Sequence, residues 1–260
     1  MAIKNDNSLR DTLEYLYDKY NREEFIEHDP ISIPHKFDRQ EDIEISGFLA
    51  AAIAWGNRKA IVKSANRMLT YLDNKPYDFV LNSSDAEIKN LYSFVHRTFN
   101  GRDFADFIKS LRHFYLKYGS LGNFFEENYL QSNDMRIVLS KFRTEFMCVE
   151  HNDHCDKHIS SIDKASACKR LNMYLRWMVR RDDRGVDFGL WKRIPMSSLY
   201  IPLDVHSGNT GRELGLLQRT QNDWKAVEEL TGSLRKFDAS DPVRFDFALF
   251  GVGVDKRVNG

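Results

Sequence analysis

Two side chains set 35 positions apart, Lys169 and Asp204, could carry out imine chemistry together. Asp204 lies in Ile201-Pro202-Leu203-Asp204-Val205-His206, where the proline forces an extended entry and the aspartate falls where a helix would start. An aspartate there accepts the free amides of the first turn, and those donors with the helix dipole keep it ionised. Such a carboxylate can take a proton from a nearby ammonium, leaving an amine able to attack a sugar carbon, and can stabilise positive charge developing there. Each residue also has a plainer reading. A lysine can be solvated surface, and an aspartate before a helix can be a structural cap. Nothing in the spacing chooses between these.

The elements that must position the pair read as helices. The stretch 163–181 contains Lys169-Arg-Leu-Asn-Met-Tyr-Leu-Arg-Trp-Met178, in which Leu171, Tyr174, Leu175 and Met178 fall on one side of a helical wheel. Lys169, Asn172, Arg176 and Arg180 fall opposite, giving a packed face and a basic face. Apolar residues recur at three- and four-residue spacing almost throughout, and strict alternation is rare, which predicts an all-α fold. A first helix is expected over 8–22 and an irregular connection with Pro30 and Pro34 over 26–40. Ile45 to Trp55 is apolar all round, as a central buried helix would be. Gly56 breaks it, and Asn57 can cap a helix with Ile61, Ala65, Met68 and Leu72 on its face. Further helices are expected at 102–118, 134–149, 205–215, 222–237 and 241–251, the last announced by Asp241-Pro242. The expected organisation is a single two-lobed helical domain over 1–260, with a lobe boundary in the polar segment 150–160.

With 260 residues the chain can bury a substantial core, and 13% aromatic content with only 6 prolines excludes a linker or low-complexity polymer. Three cysteines, Cys148, Cys155 and Cys168, are too few for a four-cysteine iron–sulfur cluster and argue against a disulfide framework. The first seven residues lack the apolar segment of a signal peptide, and the longest apolar run, Phe48 to Trp55, falls short of a membrane span. These features lead to the expectation of a cytoplasmic protein with no membrane partner. Net charge is zero, yet it is unevenly placed. Residues 1–50 hold twelve acidic and six basic side chains, whereas 169–193 hold eight basic against three acidic. Arg58, Lys59, Lys63 and Arg67 form a second basic run without acids. Local patches of this kind suit a polyanion, and they equally suit ordinary solvated helix faces.

The segment from Lys169 to Leu216 resembles the catalytic core of the helix-hairpin-helix/Gly-Pro-Asp superfamily of DNA glycosylases, with the nearest likeness to archaeal-type 8-oxoguanine glycosylases. The resemblance rests on a lysine opening an amphipathic helix and on Pro202-Leu-Asp-Val-His206 opening a second. Asp241-Pro-Val-Arg-Phe-Asp-Phe-Ala-Leu249 and Ala54-Trp-Gly-Asn-Arg58 are similar to further family segments. The whole chain also resembles an uncharacterised bacterial family of that superfamily. The resemblance implies a two-lobed helical fold with a cleft between the lobes, damaged duplex DNA as partner, no cofactor and no obligate protein partner. It implies base-excision repair of an oxidised purine, with Lys169 forming a Schiff base at C1′ and Asp204 activating it. A flipped base needs aromatic walls, for which Trp55, Trp177, Trp191 and Phe247 are candidates, and equally candidates for core. Asn57 and Arg58 would lie near DNA, Arg176 would sit on the basic face, and His206 would line the cleft or pack.

Two stretches depart from the family pattern. The hairpin before the lysine, Ser160-Ser-Ile-Asp-Lys-Ala-Ser-Ala-Cys168, has no glycine, so a phosphate would be held by helix N-terminal amides and the Ser160 or Ser161 hydroxyl. The Lys-to-Asp interval is long, and its extra residues, roughly 181–200, could form a loop lining the pocket. Outside the resemblance, Cys148, His151, His154, Cys155 and His158 fall within eleven residues and have types that suit zinc, although the spacing matches no regular pair of ligand pairs. No metal is expected on balance. A non-catalytic helical DNA-binding protein and a zinc-assembled interaction module remain the alternatives.

Overall fold

Helical periodicity becomes helix along nearly the whole chain. The computed structural model describes residues 6–258, so the start of the stretch read for a signal peptide lies outside the described residues. In chain order the helices are α1 (Asp6–Tyr20), α2 (Glu24–Glu27), α3 (Gln40–Ala52), α4 (Arg58–Tyr71), α5 (Pro76–Asn82), α6 (Asp85–Asn90), α7 (Gly101–Tyr118), α8 (Leu121–Ser132), α9 (Met135–Phe146), α10 (Lys169–Val179), α11 (Val205–Glu213), α12 (Trp224–Arg235) and α13 (Asp246–Val258). The described strands are one short antiparallel pair, β1 (Val95–His96) and β2 (Phe99–Asn100). The fold is all-α. Among the described residues no helix is long and apolar enough to cross a membrane.

The chain divides into two compact units, residues 26–161 and a discontinuous unit of 1–25 with 162–260. In the first, α3 is buried from Ile43 to Ala52, as its all-round apolar sequence predicts. Phe48, Phe107, Phe114, Phe142 and Phe146 meet around it with ring centroids 5.0–6.1 Å apart. Asn57 caps α4 by accepting from the Ala60 amide at 3.1 Å, and Ile61, Ala65, Met68 and Leu72 are buried.

Three helices here escape the sequence reading. Helices α5 and α6 are too short to show a period. Helix α8 starts where the carboxylate of fully buried Glu44 accepts from the Leu121 and Gly122 amides at 3.0 and 3.3 Å. Glu44 reaches this helix from 77 residues away and adds to the local cap of Ser120, whose Oγ accepts from the Asn123 amide at 2.9 Å.

In the discontinuous unit α13 packs against α1 and α11. Gly251 permits the first contact, since a Cβ there would lie 2.3 Å from the Tyr20 ring. Below this packing runs a network of buried charge. Arg180, almost wholly buried, donates to Asp187 at 3.0 Å, Asp241 at 2.8 Å and the Tyr17 hydroxyl at 2.9 Å, and pairs with Asp182 at 2.8 Å. Asp241 was expected to cap a helix over 241–251. Its side chain makes no capping bond; it serves Arg180 instead, a 3₁₀ turn follows over Pro242–Phe245, and the α-helix begins only at Asp246.

Candidate functional site

A run of three buried residues, Ile201 to Leu203, delivers Asp204 to its place. Ile201 and Leu203 are buried, and the Ile201 amide donates to Thr231 Oγ1 on α12 at 3.1 Å, so the segment is anchored on both sides of Pro202. Asp204 then caps α11. Its Oδ1 accepts from the amides of His206 and Ser207 at 2.8 and 2.9 Å, and Ser207 Oγ accepts from the Asp204 amide at 2.8 Å. Asn222 Nδ2 donates to the Asp204 carbonyl at 3.1 Å. Gly208 makes room for that brace, because a Cβ there would sit 2.7 Å from Asn222 Oδ1.

The second carboxylate oxygen is left for Lys169. Nζ stands 3.6 Å from Asp204 Oδ2, and both side chains keep about a third of their surface, 32% and 36%. Burial alone would raise the Asp204 carboxyl. Lys169, the Ser207 and His206 amides and the nearby His206 side chain outweigh it and hold the group below its usual range.

Lys169 is the first residue of α10, which begins six residues later than the expected 163. Ala165 and Cys168 take left-handed backbone angles, φ +58° and +47°, which an α-helix cannot contain. These angles fall within the glycine-free hairpin. It keeps left-handed turns with alanine and cysteine, held because the Trp224 amide donates to the Ala165 carbonyl at 3.0 Å, Ser166 bridges Asp223, and Asn172 Nδ2 donates to the Ala167 carbonyl at 3.1 Å.

A third group joins the pair, and sequence reasoning missed it. Asp246, the first residue of α13, is pushed up to about 6 by burial; its Arg176 partner and Lys169 oppose the rise, and the charges of Asp204 and Asp187 add to it. The clue lay inside Asp241–Leu249, where attention fell on the expected cap at Asp241 and not on the second aspartate.

Several expected site residues lie elsewhere. Arg176 was placed on a basic, DNA-facing side of α10; it is buried, paired with Asp187 at 3.3 Å and with Asp246, and covers the Phe247 ring at 4.5 Å. Asn172 and Arg180 are buried too. The wheel marked a polar face, and a polar face can also be an internal ion-pair face. Trp191 and Phe247 were candidates for stacking on a flipped base, and both are core. Trp191 packs edge-on to Tyr174 at 5.4 Å, Phe247 packs on Tyr17 and Phe25, and Trp177 is fully enclosed. The insertion over 181–200 is fastened to α10 rather than free, through the Phe188 and Trp191 amides on the Trp177 and Met178 carbonyls.

His206 is exposed beside Asp204. Ser160 and Ser161 are half-buried at the end of the first unit, while α10 is capped at Cys168, so neither hydroxyl belongs to that helix start. In the first unit, Asn57 is exposed, Arg58 reaches Asp29 at 3.7 Å, and Lys59, Lys63 and Arg67 lie on the exposed side of α4. Trp55 is partly exposed and stacks on His158 at 5.8 Å. Of the cysteine–histidine run, His154 and His158 meet Asp103, whereas Cys155 is buried and Cys148 meets His113 and Glu145.

Residues 29–255 match the profile of a family described as "Protein of unknown function (DUF2400)", and the chain belongs to that family. No curated protein and no solved structure matches the chain.

Proposed function

We propose that this member of a family without an assigned activity is a cytoplasmic DNA glycosylase with associated lyase chemistry, excising an oxidised purine of the 8-oxoguanine type from duplex DNA. One observation carries the reading: Lys169 and Asp204, on separate helices, stand 3.6 Å apart and about a third open to solvent. A pair this exposed contributes only ~0–1 kcal/mol to stability. Stability alone is therefore a weak reason to hold a lysine against a carboxylate whose other oxygen is fully committed to α11.

The same geometry suits the reaction. Asp204 accepts a proton from the Lys169 ammonium, and the freed electron pair attacks C1′ of the damaged nucleotide. The glycosidic bond breaks, its electron pair leaving with the base, which takes the proton from Asp204 and so restores the carboxylate anion. Positive charge on the sugar is met by the Asp204 anion, held ionised by the amides of α11. Loss of a proton and opening of the sugar give a Schiff base, and β-elimination then breaks the 3′ C–O bond.

A duplex carrying a single 8-oxoguanine, incubated with the chain, tests the proposal. Free 8-oxoguanine and a nicked strand are expected, both abolished in Lys169→Gln. Salt-sensitive binding of the duplex without base release would instead favour a non-catalytic DNA-binding protein on this scaffold.

A further inference from the structure

The connection that closes the first unit gathers a second set of chemistry-bearing side chains, independent of Lys169. Asp103, third residue of α7, has no exposed surface, and its Oδ2 accepts from the Asn100 amide at 2.8 Å. Residues 153–158 form a 3₁₀ helix that brings two imidazoles to this carboxylate. His154 Nδ1 lies 2.8 Å from Oδ1 and 2.9 Å from Oδ2, and His158 Nε2 lies 3.2 Å from Oδ2. One ligand atom from each residue falls within 4.8 Å of the others.

The His158 nitrogen is the informative atom. It is buried, lies 3.2 Å from the Asp103 carboxylate and makes no hydrogen bond of good geometry with it. With that nitrogen unprotonated, the neutral ring presents a lone pair beside an anion. A cation between the two satisfies both. Two ligands each about 2.1 Å from a tetrahedral zinc ion lie about 3.4 Å apart, near the Asp103–His158 separation of 3.2 Å, while the His154 ring, now at hydrogen-bond distance, would move out by about half an ångström. The His158 ring is already fixed for the task, stacked on Trp55 and edge-on to Phe99 at 4.9 Å.

We propose that Asp103, His154 and His158 bind one divalent transition-metal ion, zinc by the chemistry of two imidazoles and a carboxylate, with water in the fourth position. The ion pins the 150–159 connection to the first turn of α7. Lys157 Nζ, 2.5 Å from His154 Nε2, and Asn100 Nδ2, 3.3 Å from His154 Nδ1, are the other polar neighbours, and exposed Lys157 swings into solvent when the ion enters. The other cluster, His113–Glu145–Cys148, is weaker. Its carboxylate oxygen already serves Lys117 at 2.7 Å and His113 at 2.5 Å, and its cysteine is exposed.

The test is calorimetric titration of the untagged, chelator-treated full chain with zinc, alongside cobalt(II) absorption spectra and thermal melts. One zinc per chain is expected at micromolar affinity or tighter, with cobalt bands of a nitrogen–oxygen site and a raised melting temperature. His154→Ala, altering a half-exposed ring, should weaken binding at least 100-fold while leaving the metal-free circular dichroism and melt unchanged; His154→Gln serves as the second variant if it does not fold. Cys148→Ser should bind as the parent does. Absence of stoichiometric zinc, undiminished binding in the His154 variants, or loss of binding in Cys148→Ser would each overturn the site.

Discussion

At Asp204 the two carboxylate oxygens have separate employment, one on the amides of α11 and one toward Lys169. Asp204→Asn separates these roles. The amide keeps an acceptor for the cap, so the thermal midpoint should move by less than ~1 kcal/mol equivalent, while base release should fall by ~100-fold or more through loss of the anion. A larger loss of stability than of activity would assign the residue to capping.

Asp246 adds a pH signature. With its carboxyl near 6, it gains negative charge as pH rises through that value, and that charge acts on the Lys169–Asp204 pair. The rate of base release should rise with an inflection near pH 6 in the parent and lose that inflection in Asp246→Asn. The native state holds this proton more tightly than the unfolded chain. The group's contribution to stability is therefore largest below about pH 4 and declines as pH rises to 6. Asp204 bears a local mark, the proline-set helix start, whereas Lys169 bears none and is singled out by the family resemblance. Asp246 and Asp103 could not be picked from the sequence, since burial and distant partners give them their character.

Among the elements, α10 and its preceding turn show what periodicity conceals. Alternation at helical spacing extended the expected helix back to 163, yet two left-handed residues stop it at Lys169. A non-glycine residue at such angles costs ~1–2 kcal/mol, partly offset by the extra freedom glycine has when unfolded. Ala165→Gly should therefore stabilise the protein by about 0.5–1 kcal/mol in a denaturant melt, and no gain or a loss would contradict the assignment of strain to this turn. In α11, Gly208→Ala should push Asn222 off the Asp204 carbonyl and cost about 1–3 kcal/mol, with activity falling alongside. Helices α3, α4, α7 and α9 were legible because each buries one stripe or all of its surface against near neighbours. Helix α8 was not read, although Ser120 caps its start locally; Glu44 adds a second cap from another helix.

Over the whole molecule the wheel of α10 was correct in pattern and wrong in destination. Beyond Lys169 at its start, its polar face looks onto Asp187, Asp241 and Asp246 rather than onto solvent. A charged face with its complement far along the chain cannot be told from a solvated one by composition. The discontinuous unit, closed by α1 against α13, likewise needs residues from both ends of the chain. Removing one member of this buried network strands the others, so Arg180→Met should lower stability by about 3–5 kcal/mol in urea unfolding; a neutral result would mean that Asp187 and Asp241 find other partners.

The repair-enzyme reading meets its most direct test in borohydride trapping with an abasic-site duplex, followed by peptide mapping of the adduct by mass spectrometry. The account predicts a single covalent adduct on the peptide carrying Lys169, absent in Lys169→Gln and reduced in Asp204→Asn. No adduct despite bound duplex, or an adduct that maps to another residue and persists in Lys169→Gln, would contradict it.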